Sequence, residues 1–371
     1  MSGRKHRRST AVAAAVAAAC AAAILAAPNG HGGVAGAAEP EPPVMVVDLH
    51  VDVPWQVHFK GRAPGLEEGH ATVKALRAGG YGGIIFPIYL PDKARETGPT
   101  IADADAILAS IEGIIAASPA FLPLGAARAE PGKISSFLAI EGAGAFAADI
   151  TQIDRFIDRG LRLVSPAHAS NTALSGAATG KPADVGLTDL GKKFCERVYA
   201  RGALIDVSHV SDAAFADLVP IARSFGAPIV ATHSNARAVA AAPRNLTDDQ
   251  LRTIAATGGV AGLNFHAPFV TGTNEATLDD VLKQLDRMIQ VAGVDHVALG
   301  TDYDGGIAVP TGLEDASTVQ ALAARLRKRG MPREDVLKIF SMNALRVLGW
   351  RSRGEPVKPA GAAVAAAAPA P

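Results

Sequence analysis

The sequence predicts an α/β fold, a single (β/α)8 TIM-like barrel, and three observations predict it. Between Val44 and Trp350, short apolar runs alternate with longer amphipathic stretches, eight times over. Most of the runs are continuously apolar rather than alternating, as parallel strands covered on both faces are. Run after run also ends in a residue that can bind a metal or move a proton. A doubly wound open sheet is the competing architecture, but no Gly-rich phosphate loop follows the first run.

Taken in order, the expected strands are 44–49 (VMVVDL), 82–89 (GGIIFPIY), 135–140 (SSFLAI) and 161–167 (LRLVSPA). Four more follow at 203–208 (ALIDVS), 228–232 (PIVAT), 260–264 (VAGLN) and 296–301 (HVALGT). Helical stretches are expected at 98–117, 186–201, 211–225, 246–257 and 276–292. The helix near 246 has Thr247 or Asn245 as its cap.

The ends of the 371-residue chain read differently from its middle. Arg4, Lys5, Arg7 and Arg8 precede an Ala-rich apolar run from Ala11 to Ala27, and "VAGAAEP" offers cleavage after Ala37 or Ala38. Residues 1–38 are therefore expected to be a signal peptide, followed by a short linker at 39–43. An uncleaved anchor is the other reading, but the run is at the short end of a membrane span and Ala is weakly apolar. Only the Arg7–Arg8 pair points to twin-arginine export. The expected destination is periplasmic or extracellular. Cys20 would leave with the leader, so Cys195 would have no partner within the mature chain. The Ala/Pro-rich stretch 353–371 is expected to be a disordered tail, too weakly apolar to be an anchor signal. With 36 basic and 36 acidic residues, the chain has no net field to draw nucleic acid or an anionic membrane.

In a barrel, the C-terminal ends of all strands share one face, where active sites are built. His50 and Asp52 end the first strand, Glu141 the third, His168 the fourth, His209 the fifth, His233 the sixth and Asp302 the eighth. His50 and Asp52 are two apart, so in extended chain they point to one side. A carboxylate such as Glu141 after a buried strand is costly unless it is paired or holds a metal. With no Cys in the set, a structural thiolate site is excluded. His50, Asp52, Glu141, His209 and His233 exceed what one open catalytic zinc needs, whereas two metals sharing a carboxylate use all five. Asp302 is the acid/base candidate, and Asp304, two residues on, is assigned to loop structure. His58, His70, His266 and His296 read individually as hydrogen-bonded loop residues, and Arg244 on its own as a surface residue near a helix start.

The motifs "DLHVDVPW", "AIEGAGAF", "SPAHASNT", "LIDVSHVS", "IVATHSNARAV", "PRNLTDD" and "VALGTDYDG" occur in an order that resembles the membrane (renal-type) dipeptidases, zinc-dependent barrel enzymes of the metallo-dependent hydrolase superfamily. "GLTDLGKKF" and "VLKIFSMNALRVLGW" extend the resemblance from about Val44 to Trp350. It implies two Zn2+ ions, one on His50 and Asp52, the other on His209 and His233, with Glu141 bridging. It also implies that His168 steadies the substrate carbonyl, that Arg244 holds the substrate's terminal carboxylate, and that Asp302 handles the proton. The expected substrate is a dipeptide, cut by a hydroxide that bridges the two ions, without a covalent intermediate. A related hydrolase of another amide, a β-lactam or a lactone stays open, as does a non-catalytic binding protein on a decayed barrel. A homodimer is also left open.

Some residues depart from the family pattern. Leu49 and Val51 replace the usual Gly and Asn of the first motif, which is expected to alter the pocket wall. His266 stands where the family often has Tyr. The lipid-anchor signal and intersubunit disulfide of mammalian members have no counterpart in this reading.

Overall fold

Eight parallel strands form one sheet: β1 (Val46–Asp48), β2 (Tyr81–Tyr89), β3 (Ser135–Glu141), β4 (Leu161–Ser165), β5 (Leu204–Ile205), β6 (Val230–Ala231), β7 (Val260–Leu263) and β8 (Val297–Leu299). Their order is β5-β4-β3-β2-β1-β8-β7-β6, which curls into a nearly closed barrel with helices around it. This computed structural model describes residues 42–92, 98–126, 130 and 132–351. The expected leader, residues 39–41 of the linker, and the tail lie outside the described residues.

The strands form where β-branched and other apolar residues run together, and every residue of β3 is buried. β2 and β3 pair over seven positions, from Gly83↔Ser135 to Tyr89↔Glu141, and β4 continues the register with Glu141↔Ser165. Two seams are thin. β8 and β1 share one ladder pair, Asp48↔Leu299, and between β5 and β6 there is a single bridge, Asp206↔Val230.

A buried aspartate reinforces the first seam. Asp48 accepts from the backbone N–H groups of His50 (3.1 Å) and Thr301 (3.0 Å) and from the Thr301 hydroxyl (2.6 Å). The strand end carrying His50 is thereby tied to the one carrying Asp302. Burial pushes the Asp48 pKa up, and the Thr301 and His50 hydrogen bonds oppose it.

The expected helices appear as Ile101–Ala117, Asp189–Ala200, Asp212–Phe225, Asp248–Ala256 and Leu278–Ala292. Leu278–Ala292 buries Val281, Leu282, Leu285, Met288 and Ala292, a stripe at helical spacing. Thr247, not Asn245, caps Asp248–Ala256, in a reciprocal box with Gln250. Asn245 is buried instead and donates to the carbonyls of Ala240 and Phe269, fixing the loop that carries Arg244. Among the described residues, no helix is long and apolar enough to cross a membrane.

Candidate metal centre

His50 leaves β1 buried, and the extended backbone continues through a bridge between Val51 and Tyr303. Asp52 then stands at the N-terminus of the helix Val53–Lys60. As the two-residue spacing requires, both side chains face one way, with His50 Nε2 3.3 Å from Asp52 Oδ2. Leu49 and Val51 point to the opposite side and are fully buried in the hydrophobic core. The expectation that they alter the pocket wall is therefore corrected: they alter the packing behind the site.

Glu141 ends β3 and sits at the centre of the cluster. Its Oε1 lies 2.8 Å from His209 Nε2, 3.6 Å from His50 Nε2, 3.7 Å from His233 Nε2 and 3.8 Å from His168 Nε2. The turn that follows needs glycine. Gly142 has φ +86°, and a Cβ there would come 3.0 Å from the Leu90 carbonyl oxygen and 3.3 Å from His168 Cβ. His209 and His233 come from the open β5–β6 seam, and their Nε2 atoms are 2.9 Å apart. His168 is less enclosed, its side chain 21% exposed, with the Tyr89 ring edge-on at 4.8 Å.

Asp302 completes the His50 side. It adopts φ +65°, a left-handed conformation that Asp tolerates better than most residues, and its Oδ2 accepts from Asn264 Nδ2 at 3.0 Å. Asp304 turns away from the cluster. Its carboxylate takes the backbone N–H groups of His70 (2.9 Å) and Ala71 (3.1 Å) and the Arg62 guanidinium (2.9 Å), so it pins a neighbouring loop. Arg244 is buried on the opposite side, with Nη2 3.1 Å from His209 Nε2 and its guanidinium over the Phe269 ring. Among the described residues, the other four histidines each have a partner. His58 pairs with Ser110 and His296 with the Gly259 carbonyl, while His70 and His266 accept from the N–H groups of Asp304 and Ala308.

The electrostatics are those of crowded, desolvated charges. Burial pushes the pKa of His209 and His233 well below the usual imidazole range, with the Arg244 and His50 charges adding to it. For His50, burial acts the same way, but Asp52 and Glu141 outweigh it and push the pKa up to about 10. Burial and the Asp52 charge hold Asp302 well above the ordinary carboxylate range. Burial works against a charged Glu141 too, yet His50, His168, His233 and Arg244 together keep its pKa low.

These residues fit a cation. Buried His50 Nε2 has no hydrogen-bond partner although two carboxylates lie within 4 Å of it. Ligand atoms of Glu141, His209 and His233 lie within 4.8 Å of one another, and so do those of His50, Asp52 and Asp302. Every donor is nitrogen or oxygen, the chemistry of zinc and similar dications at catalytic sites. Asp206 and Thr232 were not singled out from the sequence, yet they lie buried beneath His50 and His233. The clue was available, because Asp206 is a carboxylate inside an apolar run, in "LIDVSH".

Comparison with known proteins agrees with this geometry. The family described as membrane dipeptidase (peptidase family M19) matches residues 42–353. An uncharacterized protein in the pqqA 5′ region of Klebsiella pneumoniae is 37% identical over 231 residues, covering 60% of this chain and 84% of that one. A metallo peptidase from Rhodobacter sphaeroides, solved with a phosphinate mimic of the dipeptide L-Ala-D-Ala, superposes with a TM-score of 0.74 at 27% identity, over 83% of this chain and 99% of that one. The dipeptidase AC, a metallo peptidase of family M19, gives 0.74 at 29% identity, over 85% and 100%. The chain belongs to the membrane dipeptidase family, peptidase family M19, and is a metallo-dipeptidase.

Proposed function

We propose that the protein is an exported dinuclear zinc dipeptidase that hydrolyses dipeptides bearing a free C-terminal carboxylate. One observation carries the reading: four imidazole Nε2 atoms converge on a single Glu141 oxygen. His50 and Asp52 would hold one ion, His209 and His233 the other, with Glu141 between them. When bound, the ions supply Lewis acidity to the scissile carbonyl and ease the loss of a proton from water.

The chain's own residues do the rest. His168 reaches the cluster from its less enclosed side and donates from its imidazole to the carbonyl oxygen as negative charge builds there. Asp302 is oriented by Asn264 and carries a proton to the departing amine. Arg244, backed by Phe269, pairs the substrate's terminal carboxylate and so selects substrates that end one residue past the cut. Burial lowers the Arg244 pKa to about 10, with Asp302 and Glu141 opposing, so a substrate carboxylate compensates a desolvated charge. No Ser or Cys nucleophile takes part, and Cys195 is buried in a helix with its thiol pKa pushed up by burial. The dipeptide mimic bound by the Rhodobacter sphaeroides relative supports a dipeptide substrate. Export is supported by the basic and Ala-rich residues at the start of the chain.

The test is hydrolysis by zinc-loaded protein of dipeptides with L or D second residues, alongside their C-terminal amides. Free acids are expected to react about 10- to 100-fold faster, the worth of a charge-assisted hydrogen-bonded pair. Equal rates on acids and amides would overturn the carboxylate requirement. Hydrolysis of a β-lactam but of no dipeptide would overturn the substrate class.

A further inference from the structure

Beneath the cluster lies a buried polar network built on Asp206, Ser208 and Thr232. Asp206 follows β5 and is 2% exposed. Its Oδ1 accepts from the backbone N–H groups of Ser208 (2.9 Å) and Thr232 (3.0 Å) and from the Ser208 hydroxyl (2.6 Å). Its Oδ2 accepts from the Thr232 hydroxyl at 2.7 Å. The same Thr232 Oγ1 lies 2.7 Å from His233 Nδ1 and 3.4 Å from His50 Nδ1.

Proton counting then fixes the histidines. A hydroxyl has one proton to give, and Thr232 gives it to Asp206 Oδ2. Toward His233, Thr232 Oγ1 can only accept, so the ring proton of His233 sits on Nδ1. That leaves Nε2 without a proton, and Nε2 is the atom that faces His209 Nε2 at 2.9 Å and Glu141 Oε1 at 3.7 Å. His50 is disposed alike: Nδ1 points to the same hydroxyl and Nε2 to Asp52 and Glu141. One hydroxyl therefore sits behind one histidine from each half of the centre. A ligating histidine is commonly held this way by a hydrogen bond from its other nitrogen.

We infer that Asp206 and Thr232 are the positioning residues of this centre: Asp206 orients the Thr232 hydroxyl, which fixes His233 as the Nδ1–H tautomer with Nε2 free to ligate. The inference rests on the metal-site reading above. Its test has two arms that do not use peptide hydrolysis. Long-range 1H–15N spectra of metal-free protein labelled at histidine report the tautomer of each ring. Competition with a zinc chelator reports affinity for wild type, Thr232→Val and Thr232→Ser.

The expected result is an Nδ1–H tautomer at His233 in wild type. Thr232→Val is expected to lose that preference and bind zinc about 10- to 100-fold more weakly, while Thr232→Ser keeps both properties. An Nε2–H tautomer in wild type would overturn the inference, as would zinc affinity in Thr232→Val equal to that of wild type. A Ser variant as weak as the Val variant would do the same. If Thr232→Val fails to fold, the wild-type spectrum and the Ser variant still decide the matter. Failure of the metal-site reading looks different: wild type would bind no zinc, whatever its tautomer.

Discussion

At the residue scale, the chemistry turns on how differently the carboxylates are treated. Glu141 is held ionised by the positive groups around it, whereas Asp302 is pushed toward its acid form by burial and by Asp52. Groups with their pKa values driven apart in this way divide the roles of ligand and proton carrier. Asp302→Asn keeps the size and the left-handed backbone but cannot cycle a proton. It is expected to lower kcat about 10²- to 10⁴-fold with KM nearly unchanged, as read by initial rates on a dipeptide. A kcat close to that of wild type would assign the proton to another group. Sequence alone could separate Asp302 from Asp304 only by position, because both sit in "GTDYDGG" and both adopt positive φ. The separation became physical once Asp304 was found tied to Arg62, His70 and Ala71.

At the element scale, the apolar runs were legible because continuous burial leaves a continuous apolar trace, as in β2 and β3. β5 and β6 were read as longer than they are, at 203–208 and 228–232, and each reduces to two residues of ladder. The reason lies in Asp206 and Thr232, whose side chains bond each other across the seam where a ladder would otherwise continue. The Thr232 carbonyl just after β6 also explains two glycines, Gly262 in β7 and Gly300 within "VALGTDYDG". A Cβ on Gly300 would meet the Thr232 carbonyl oxygen at 1.7 Å, and one on Gly262 would meet it at 1.9 Å. β6 can press against β7 and β8 only because those positions lack side chains. Gly300→Ala is therefore expected to destabilise the protein by about 1–3 kcal/mol in urea denaturation, and to weaken zinc binding by shifting Thr232 and His233. Unchanged stability and unchanged zinc affinity would contradict this packing account.

At the scale of the whole molecule, the barrel gathers candidate site residues that are far apart in sequence, from His50 to Asp302, onto one face. That these residues cluster was legible because each ends an apolar run. Arg244 was not legible without the family resemblance, because it comes from a loop between β6 and the helix Asp248–Ala256, and periodicity says nothing about where such a loop returns. The supporting network was hidden for a different reason. Asp48, Asp206 and Thr232 lie inside strand traces, where a polar residue reads as an interruption until its partners are known. Because the candidate ligands come from different strand ends across the barrel, an ion held by them would tie those strands together. Chelation is expected to lower Tm by about 5 °C or more relative to protein in excess zinc, as read by calorimetry. An unchanged Tm would mean that the ions do not contribute to holding the barrel.

The central claim is that the cluster around Glu141 holds two ions, and the most direct test is zinc per chain. Folded protein, remetallated and desalted, is measured by mass spectrometry beside Glu141→Gln. The account predicts about two equivalents in wild type and a clear loss in the variant. Less than about one equivalent in wild type would contradict it.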